Sequence, residues 1–354
     1  MNLLILPGDG VGPEITAAAL NVLRAASACF DLRLLLEADV VGHASVQRYG
    51  TTVRGDLLEK AKAVDGVVLG PTSSYEHELT GQPGVNKFFR KGLDLFANIR
   101  PARTYAGLPN RVGDFDLVVV RENTEGFYAD RNVESGSSEI LVTPDVAIAM
   151  RRITRPSCER IARTAFELAM RRRRHVTIVH KESVLKVTDG MFMEECRRVS
   201  RDFPEVTVSD LIVDAAMAHV VRAPDRFDVM VTTNMFGDIL SDLTAELTGS
   251  IGMAGSLNAG VEHALAQPGH GSALDLAGQD VANPISQILS VALLLEWYGR
   301  RKSSAAHTAA AAAIEDAVAR CIADKQVTID AGGPLGTIEV GDAIANRVRD
   351  LAAA

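Results

Sequence analysis

The chain has 354 residues, with 37 Lys+Arg against 45 Asp+Glu, for a net charge of −8. A hydrophobic fraction of 47% belongs to a globular protein and excludes disorder as the main state, because disordered chains are poor in apolar residues. The acidic balance argues against a nucleic-acid binder, which needs a basic surface. The length suits about two domains, at roughly 150 residues each. Cys29, Cys158, Cys196 and Cys321 show no CxxC and no short paired spacing. They indicate neither a zinc site nor a disulfide framework, and they read as small hydrophobes in a reducing compartment. Residues 1–6 lack a basic n-region and stop at Pro7-Gly8-Asp9-Gly10, too short for a signal peptide. The longest apolar stretch, residues 288–295, falls short of a membrane span. A cytoplasmic protein with no membrane or nucleic-acid partner is expected.

In chain order, residues 3–6 read as a buried strand. Pro13 opens a helix to about Ala28, with Ile15, Ala18, Ala19, Val22 and Leu23 at helical spacing. Residues 32–36 and 66–69 are the next strands. Residues 117–120, 176–179 and 229–232 are further short buried strands, each ending where polar residues cluster. Residues 135–138 look like a projecting loop or hairpin tip. The basic run Arg171–Arg174 follows a helical pattern and reads as a solvated helix end, where cations suit the dipole. Residues 285–297 form a strongly apolar helix, and 303–325 an Ala-rich one. This alternation predicts an α/β fold with much parallel sheet and ligand sites at the carboxyl ends of strands.

Five segments carry chemical content. Leu6-Pro7-Gly8-Asp9-Gly10-Val11-Gly12-Pro13-Glu14 lies between a strand and a helix, where glycines let backbone amides approach a phosphate. It matches the dinucleotide fingerprint poorly, although Glu37 lies near the expected acidic position; a plain strand-to-helix turn is the alternative. Arg90, Arg100, Arg103 and Arg121 would suit a substrate with two or three carboxylates if they converge, since arginine grips carboxylates bidentately. In Asn234-Met235-Phe236-Gly237-Asp238-Ile239-Leu240-Ser241-Asp242, the two aspartates share a helix face at the end of a strand. Such a pair repels unless a cation joins it, and oxygen-only ligands select Mg²⁺ or Mn²⁺; Asp214 is a candidate third ligand. Lys181, after a strand, would serve as a general base, and Tyr128 as a proton donor, although either residue could equally be structural. The loop His270-Gly271-Ser272-Ala273-Leu274-Asp275, then Asn283-Pro284, suits close folding around a flat ligand, where Asp275 could accept from ribose hydroxyls; an ordinary turn-rich loop is the alternative.

In order and wording these segments resemble the β-decarboxylating dehydrogenases: isocitrate, homoisocitrate, 3-isopropylmalate and tartrate/D-malate dehydrogenases. The resemblance spans nearly the whole chain. Its most specific pieces are Ala97-Asn98-Ile99-Arg100-Pro101, Arg121-Glu122-Asn123-Thr124-Glu125-Gly126, the Asn234–Asp242 segment and His270-Gly271-Ser272-Ala273. It implies an α/β/α sandwich of two domains around a mixed sheet, not a Rossmann fold, so the fingerprint reading of the first motif falls away. Residues 1–95 plus 251–354 would form the large cofactor-binding domain. Residues 96–250 would form the small substrate, metal and dimerisation domain, with an arm near 129–142. A homodimer with shared active sites, or a tetramer, is implied, with Lys181 and Asp214 reaching across the interface. By resemblance, Arg90, Arg100 and Arg121 hold the malate moiety, and Tyr128 and Lys181 are the catalytic pair. Asp214, Asp238 and Asp242 bind Mg²⁺ or Mn²⁺. His270, Gly271, Ser272, Ala273, Asp275 and Asn283 bind NAD, Asp275 standing where NADP-type relatives carry a lysine. The implied reaction is NAD-dependent oxidative decarboxylation. Lys181 removes the C2 hydroxyl proton, the β-carboxylate leaves, and Tyr128 reprotonates the product.

Substrate choice would lie in Gly81-Gln82-Pro83-Gly84-Val85-Asn86-Lys87-Phe88-Phe89. Isopropylmalate enzymes place leucines here, whereas this chain offers Asn86 and Lys87. A third carboxylate on the substrate is therefore expected, favouring isocitrate or homoisocitrate over 3-isopropylmalate, tartrate or D-malate. Gln267, Gly269, Leu274 and residues 72–80 depart from the family wording. A non-catalytic regulatory subunit is the competing non-enzyme reading, and the completeness of the catalytic set argues against it.

Overall fold

The computed structural model describes residues 1–79, 81–128, 132 and 138–353. It begins β1 (Asn2–Leu6), α1 (Gly12–Phe30), β2 (Leu35–Ala38), α2 (Gly42–Tyr49), α3 (Asp56–Ala63), β3 (Gly66–Leu69), α4 (Ser74–Leu79) and α5 (Val85–Gly92). The middle of the chain supplies β4 (Ala97–Arg103), β5 (Asp116–Glu122), β6 (Glu139–Thr143), β7 (Val146–Ala149), α6 (Arg155–Ala169), β8 (His175–His180), α7 (Thr188–Ser200), β9 (Thr207–Ile212), α8 (Val213–Arg222), β10 (Val229–Thr232) and α9 (Asn234–Glu246). The last part holds β11 (Leu257–Ala259), β12 (Ala264–Ala266), α10 (Ile285–Arg301), α11 (Ala305–Ala323) and α12 (Thr337–Ala353).

Ten strands form one mixed sheet in the order β2-β1-β3-β12-β11-β4-β5-β10-β8-β9, with helices packed on it, as the α/β expectation requires and unlike a Rossmann sheet. Two all-parallel groups, β2-β1-β3-β12 and β5-β10-β8-β9, run in opposite directions. Antiparallel pairings through β11 and β4 join them. α1, α10, α11 and α12 bury Leu23, Ile288, Ile314 and Val348 over the first group. α6 and α7 bury Phe166 and Phe192 over the second. No described helix is long and apolar enough to cross a membrane.

Several expected boundaries move. The second strand starts at Leu35 rather than Leu32, because Asp31 and Arg33 both take left-handed conformations and the Leu32 amide still donates to the end of α1. Asp214 follows β9, as the residue order suggests, and falls in the first turn of α8, where a carboxylate suits the helix dipole. The basic run is more than a solvated helix end: Arg172 donates to the buried Asp228 at 2.8 Å and also pairs with Asp116. Three cysteines are buried, and Cys29 is half-buried. Of the expected arm, residues 129–131 and 133–137 lie outside the described residues. The described ribbon of β6 and β7 continues it to Ala149 and exposes Ile140, Leu141, Val142 and Ile148.

The junction between the two strand groups has a polar centre. Asn98 on β4 donates to Ser256 at 2.9 Å and to Asn258 at 3.2 Å, and Asn123 donates to the same Asn258 oxygen at 3.0 Å. The Asn98 carbonyl oxygen in turn accepts from Arg100 at 2.7 Å. All three asparagines are buried. Asn98→Ala would leave buried amide and guanidinium groups unmatched, at a cost of about 1–3 kcal/mol. Urea unfolding should show that loss, and an unchanged midpoint would mean the network does not hold the junction.

Candidate active site

A cavity of about 1120 Å³ opens beside the junction. Arg90, Asn86 and Lys87 from α5, Arg100 from β4, Arg121 from β5, Tyr128, Asp238 from α9, and His270 and Gly271 all line it. Most of the residues expected to hold substrate therefore share one space. Arg103 does not: three positions after Arg100 on β4 it emerges on the other face, ion-pairs with Glu315 at 3.6 Å and lies over Tyr105.

Two arginines and two aspartates neutralise one another in this cavity. Arg121 is 2% exposed. Its Nε and Nη2 donate to Asn234 Oδ1 at 2.9 and 2.7 Å, and its Nη1 donates to Asp238 Oδ1. The Tyr128 hydroxyl donates to the other Asp238 oxygen. Arg100 Nη1 donates to Ser241 and to Asp242, both at 2.8 Å, and its Nη2 lies 3.6 Å from Asp238. Burial pushes the Asp238 carboxyl up, but Arg121, the Tyr128 hydroxyl, Arg100 and Arg90 outweigh it and hold the pKa below the usual value. Asp242 goes the other way: burial and the Asp238 charge raise it against the pull of Arg100. The sequence reading named neither Asn234 nor Asn98 as a site residue, although both stood in its motifs. Their side-chain amide oxygens fix the two guanidiniums. Gly237 is required where it is, since a Cβ there would sit 2.6 Å from Arg121 Cγ.

Asp238 and Asp242 offer carboxylate oxygens one helical turn apart, the donor chemistry that Mg²⁺ or Mn²⁺ takes. Asp214 does not join them within one chain. It accepts from Lys181 Nζ at 2.5 Å, and neither residue lines the cavity. The Lys181 hydrogen bond lowers the Asp214 pKa. Lys181 is itself anchored from behind, its amide donating at 2.5 Å to buried Asp189, which also accepts from Arg151. Arg151 and Asp189 carried no sequence signal. The only group of three His, Cys, Asp or Glu donors that converge within 4.8 Å, among the described residues, is Asp9, His43 and His77.

The glycine motif packs against the 270–275 loop. Val11 N donates to Ser272 O at 2.9 Å, and a Cβ on Gly10 would come within 1.9 Å of that oxygen. The turn thus supports the loop, with the Asp9, Val11 and Gly12 amides bonded within the protein, rather than aiming them at a phosphate as a dinucleotide fingerprint does. Glu37 ion-pairs with Lys60 at the sheet edge. Ser272 bonds Ser73 through their hydroxyls at 2.9 Å, and Ala273 is left-handed. Buried His270 Nε2 has no hydrogen-bond partner among the described residues, a polar atom that a bound nucleotide would satisfy. Burial lowers the His270 pKa, so the ring is neutral near pH 7. Asp275 is exposed at the loop rim. The Asn283 amide is engaged, donating to Asp330 at 3.0 Å and accepting from Ile285 N at 3.0 Å.

A Cβ at position 237 tests whether the Arg121 placement matters. Gly237→Ala should displace the guanidinium and lower carboxylate-substrate kcat/KM by about 100-fold, as roughly 1 Å of misplacement does elsewhere. Steady-state kinetics at an unchanged melting temperature would check this, and wild-type kinetics would show that Arg121 is not the constraint.

The profile of the isocitrate/isopropylmalate dehydrogenase family matches residues 2–344. The chain is 38% identical to a 3-isopropylmalate dehydrogenase of Archaeoglobus fulgidus, over 97% of this chain and 98% of that protein. It is 38% identical to an isocitrate/homoisocitrate dehydrogenase of Thermus thermophilus, over 99% of both. Among solved structures, isocitrate dehydrogenase from Methylococcus capsulatus is similar with a TM-score of 0.87 and 37% identity, over 98% of this chain and 99% of that one.

Proposed function

From the premise that this chain belongs to the isocitrate/isopropylmalate dehydrogenase family, and so is a decarboxylating dehydrogenase of hydroxy acids, we propose that its substrate carries three carboxylates, as isocitrate and homoisocitrate do. One observation carries this reading. The cavity is lined by Lys87, Arg90, Lys91, Arg100 and Arg121 and by no Leu, Ile or Val among the described residues. Lys87 has no ion-pair partner among the described residues. A branched alkyl group would meet mostly charged and polar side chains here, with Phe88, Phe127, Pro83 and Pro268 as the apolar ones, whereas a carboxylate would gain a charge-assisted hydrogen bond. Asn86 is oriented by Gln267, whose Nε2 donates to its Oδ1 at 2.7 Å. The names of the relatives divide between the two substrate types, so identity alone does not choose.

The residues divide the work by their chemistry. Arg90, Arg100 and Arg121 hold the carboxylates common to these substrates, and Lys87 with Asn86 holds the third. Asp238 and Asp242, with Asp214 of a second subunit, would hold Mg²⁺ or Mn²⁺, and residues 270–275 with Asn283 would hold NAD. These groups, when bound, supply Lewis acidity at the C2 oxygen and an electron acceptor. Lys181 accepts the C2 hydroxyl proton and Tyr128 delivers one to C3 after the β-carboxylate has left. We further propose a homodimer. Lys181 and Asp214 lie outside their own chain's cavity, and the β6–β7 ribbon exposes an apolar face suited to a second copy. The sheet reversal at β11 and β4 supports a division of the chain at about residues 95 and 250.

The test is NADH formation with Mg²⁺ or Mn²⁺ across isocitrate, homoisocitrate, 3-isopropylmalate, D-malate and tartrate. One tricarboxylate should turn over best. Lys87→Val should then lower its kcat/KM roughly tenfold to a hundredfold, the worth of a charge-assisted hydrogen bond at ~1.5–3 kcal/mol. Best turnover of 3-isopropylmalate, or an unchanged preference in Lys87→Val, would contradict the reading.

A further inference from the structure

We propose a second metal site, for a borderline transition dication such as Zn²⁺, built from Asp9, His43 and His77. It lies apart from the oxygen-only aspartate pair and takes a different class of ion. The three donors come from three separate segments: the turn after β1, the start of α2, and α4. Asp9 and His77 are each 2% exposed, whereas the His43 side chain is 43% exposed, so the group is buried on one side and open on the other.

The geometry is convergent. His77 Nε2 lies 2.9 Å from Asp9 Oδ2, and His43 Nδ1 lies 3.5 Å from Asp9 Oδ1. The two imidazoles meet edge-on with centroids 4.6 Å apart. The carboxylate is already fixed by backbone, accepting from His43 N at 2.7 Å and Ser73 N at 2.9 Å. A carboxylate's two oxygens offer about four acceptor positions, so donor capacity remains. Gly42, at φ +66, permits this approach, because a Cβ there would fall 2.1 Å from Asp9 Oδ1. His43 Nδ1 is too far from the carboxylate for a good hydrogen bond, and its Nε2 faces Glu76 at an equally long 3.5 Å. His77 is already hydrogen-bonded to Asp9, and His43 Nδ1 faces the same carboxylate across a gap that a shared cation would close.

Two imidazoles and a carboxylate, with a fourth position toward solvent, form a Zn²⁺ donor set, while Mg²⁺ and Ca²⁺ prefer oxygen alone. Backbone bonds to the carboxylate supply the outer support that such sites need. The site would also join α4 to the glycine turn. Thr72 and Ser74 of the same segment line the substrate cavity, and Ser73 touches the 270–275 loop through Ser272. Residues 72–80, which depart from the family wording, supply His77.

The test compares the full chain with His43→Gln and His77→Gln, without using turnover. Zn²⁺ uptake is measured against a chromophoric chelator in excess Mg²⁺, and Co²⁺ is followed by its visible absorption. Wild type should bind one equivalent of Zn²⁺ more than either variant, and its Co²⁺ form should show d–d bands, lost in the variants, with no thiolate charge transfer. Equal Zn²⁺ uptake in all three proteins, or a Co²⁺ spectrum unchanged by His43→Gln, would overturn the proposal. His43 is half-exposed, so His43→Gln decides the matter even if His77→Gln does not fold.

Discussion

A buried guanidinium dictates much of this architecture. Arg121 sits at the end of β5, 2% exposed, where an uncompensated charge would be prohibitively costly. Its compensation comes from one short stretch of α9: Asn234 takes two of its donors, Asp238 takes a third, and Gly237 leaves room for its stem. That requirement ties the first turns of α9 to β5. It also places Asp238 and Asp242 at the cavity and brings the Tyr128 hydroxyl to the same carboxylate.

Neutrality by pairing has a functional side. The arginines that would grip substrate and the aspartates that would grip a cation occupy one another. In the proposed reaction both sets exchange partners together. Substrate carboxylates take over the guanidiniums as the cation takes over the aspartates. Lys181 and Asp214, paired with each other outside the cavity, have the same relation in miniature. A second subunit that delivered both would complete the set without adding net charge.

The sequence made the candidate site residues legible because their types are dictated by the chemistry and their spacing by one helix face or one strand end. It made most strands legible too, since buried parallel strands read as short apolar runs, and Gly66–Leu69 and Val229–Thr232 agree to the residue. What it hid was tertiary. Asn98 and Asn123 look like ordinary polar positions until β11 brings Asn258 against them. The glycine motif looks like a phosphate turn until Ser272 fills it. Arg103 resembled its neighbours in type but not in strand parity. His43 and His77 are 34 residues apart, with no metal-ligand spacing to link them, and only folding around Asp9 joins them.

The exchange of partners is tested most directly by titration calorimetry of the preferred hydroxy acid with and without Mg²⁺, in the absence of NAD. The account predicts binding at least about tenfold tighter with Mg²⁺, the worth of one recovered charge-assisted hydrogen bond at ~1.5 kcal/mol. Equal affinity in both conditions would contradict it, because the arginines would then be available to substrate whether or not the aspartates had another partner.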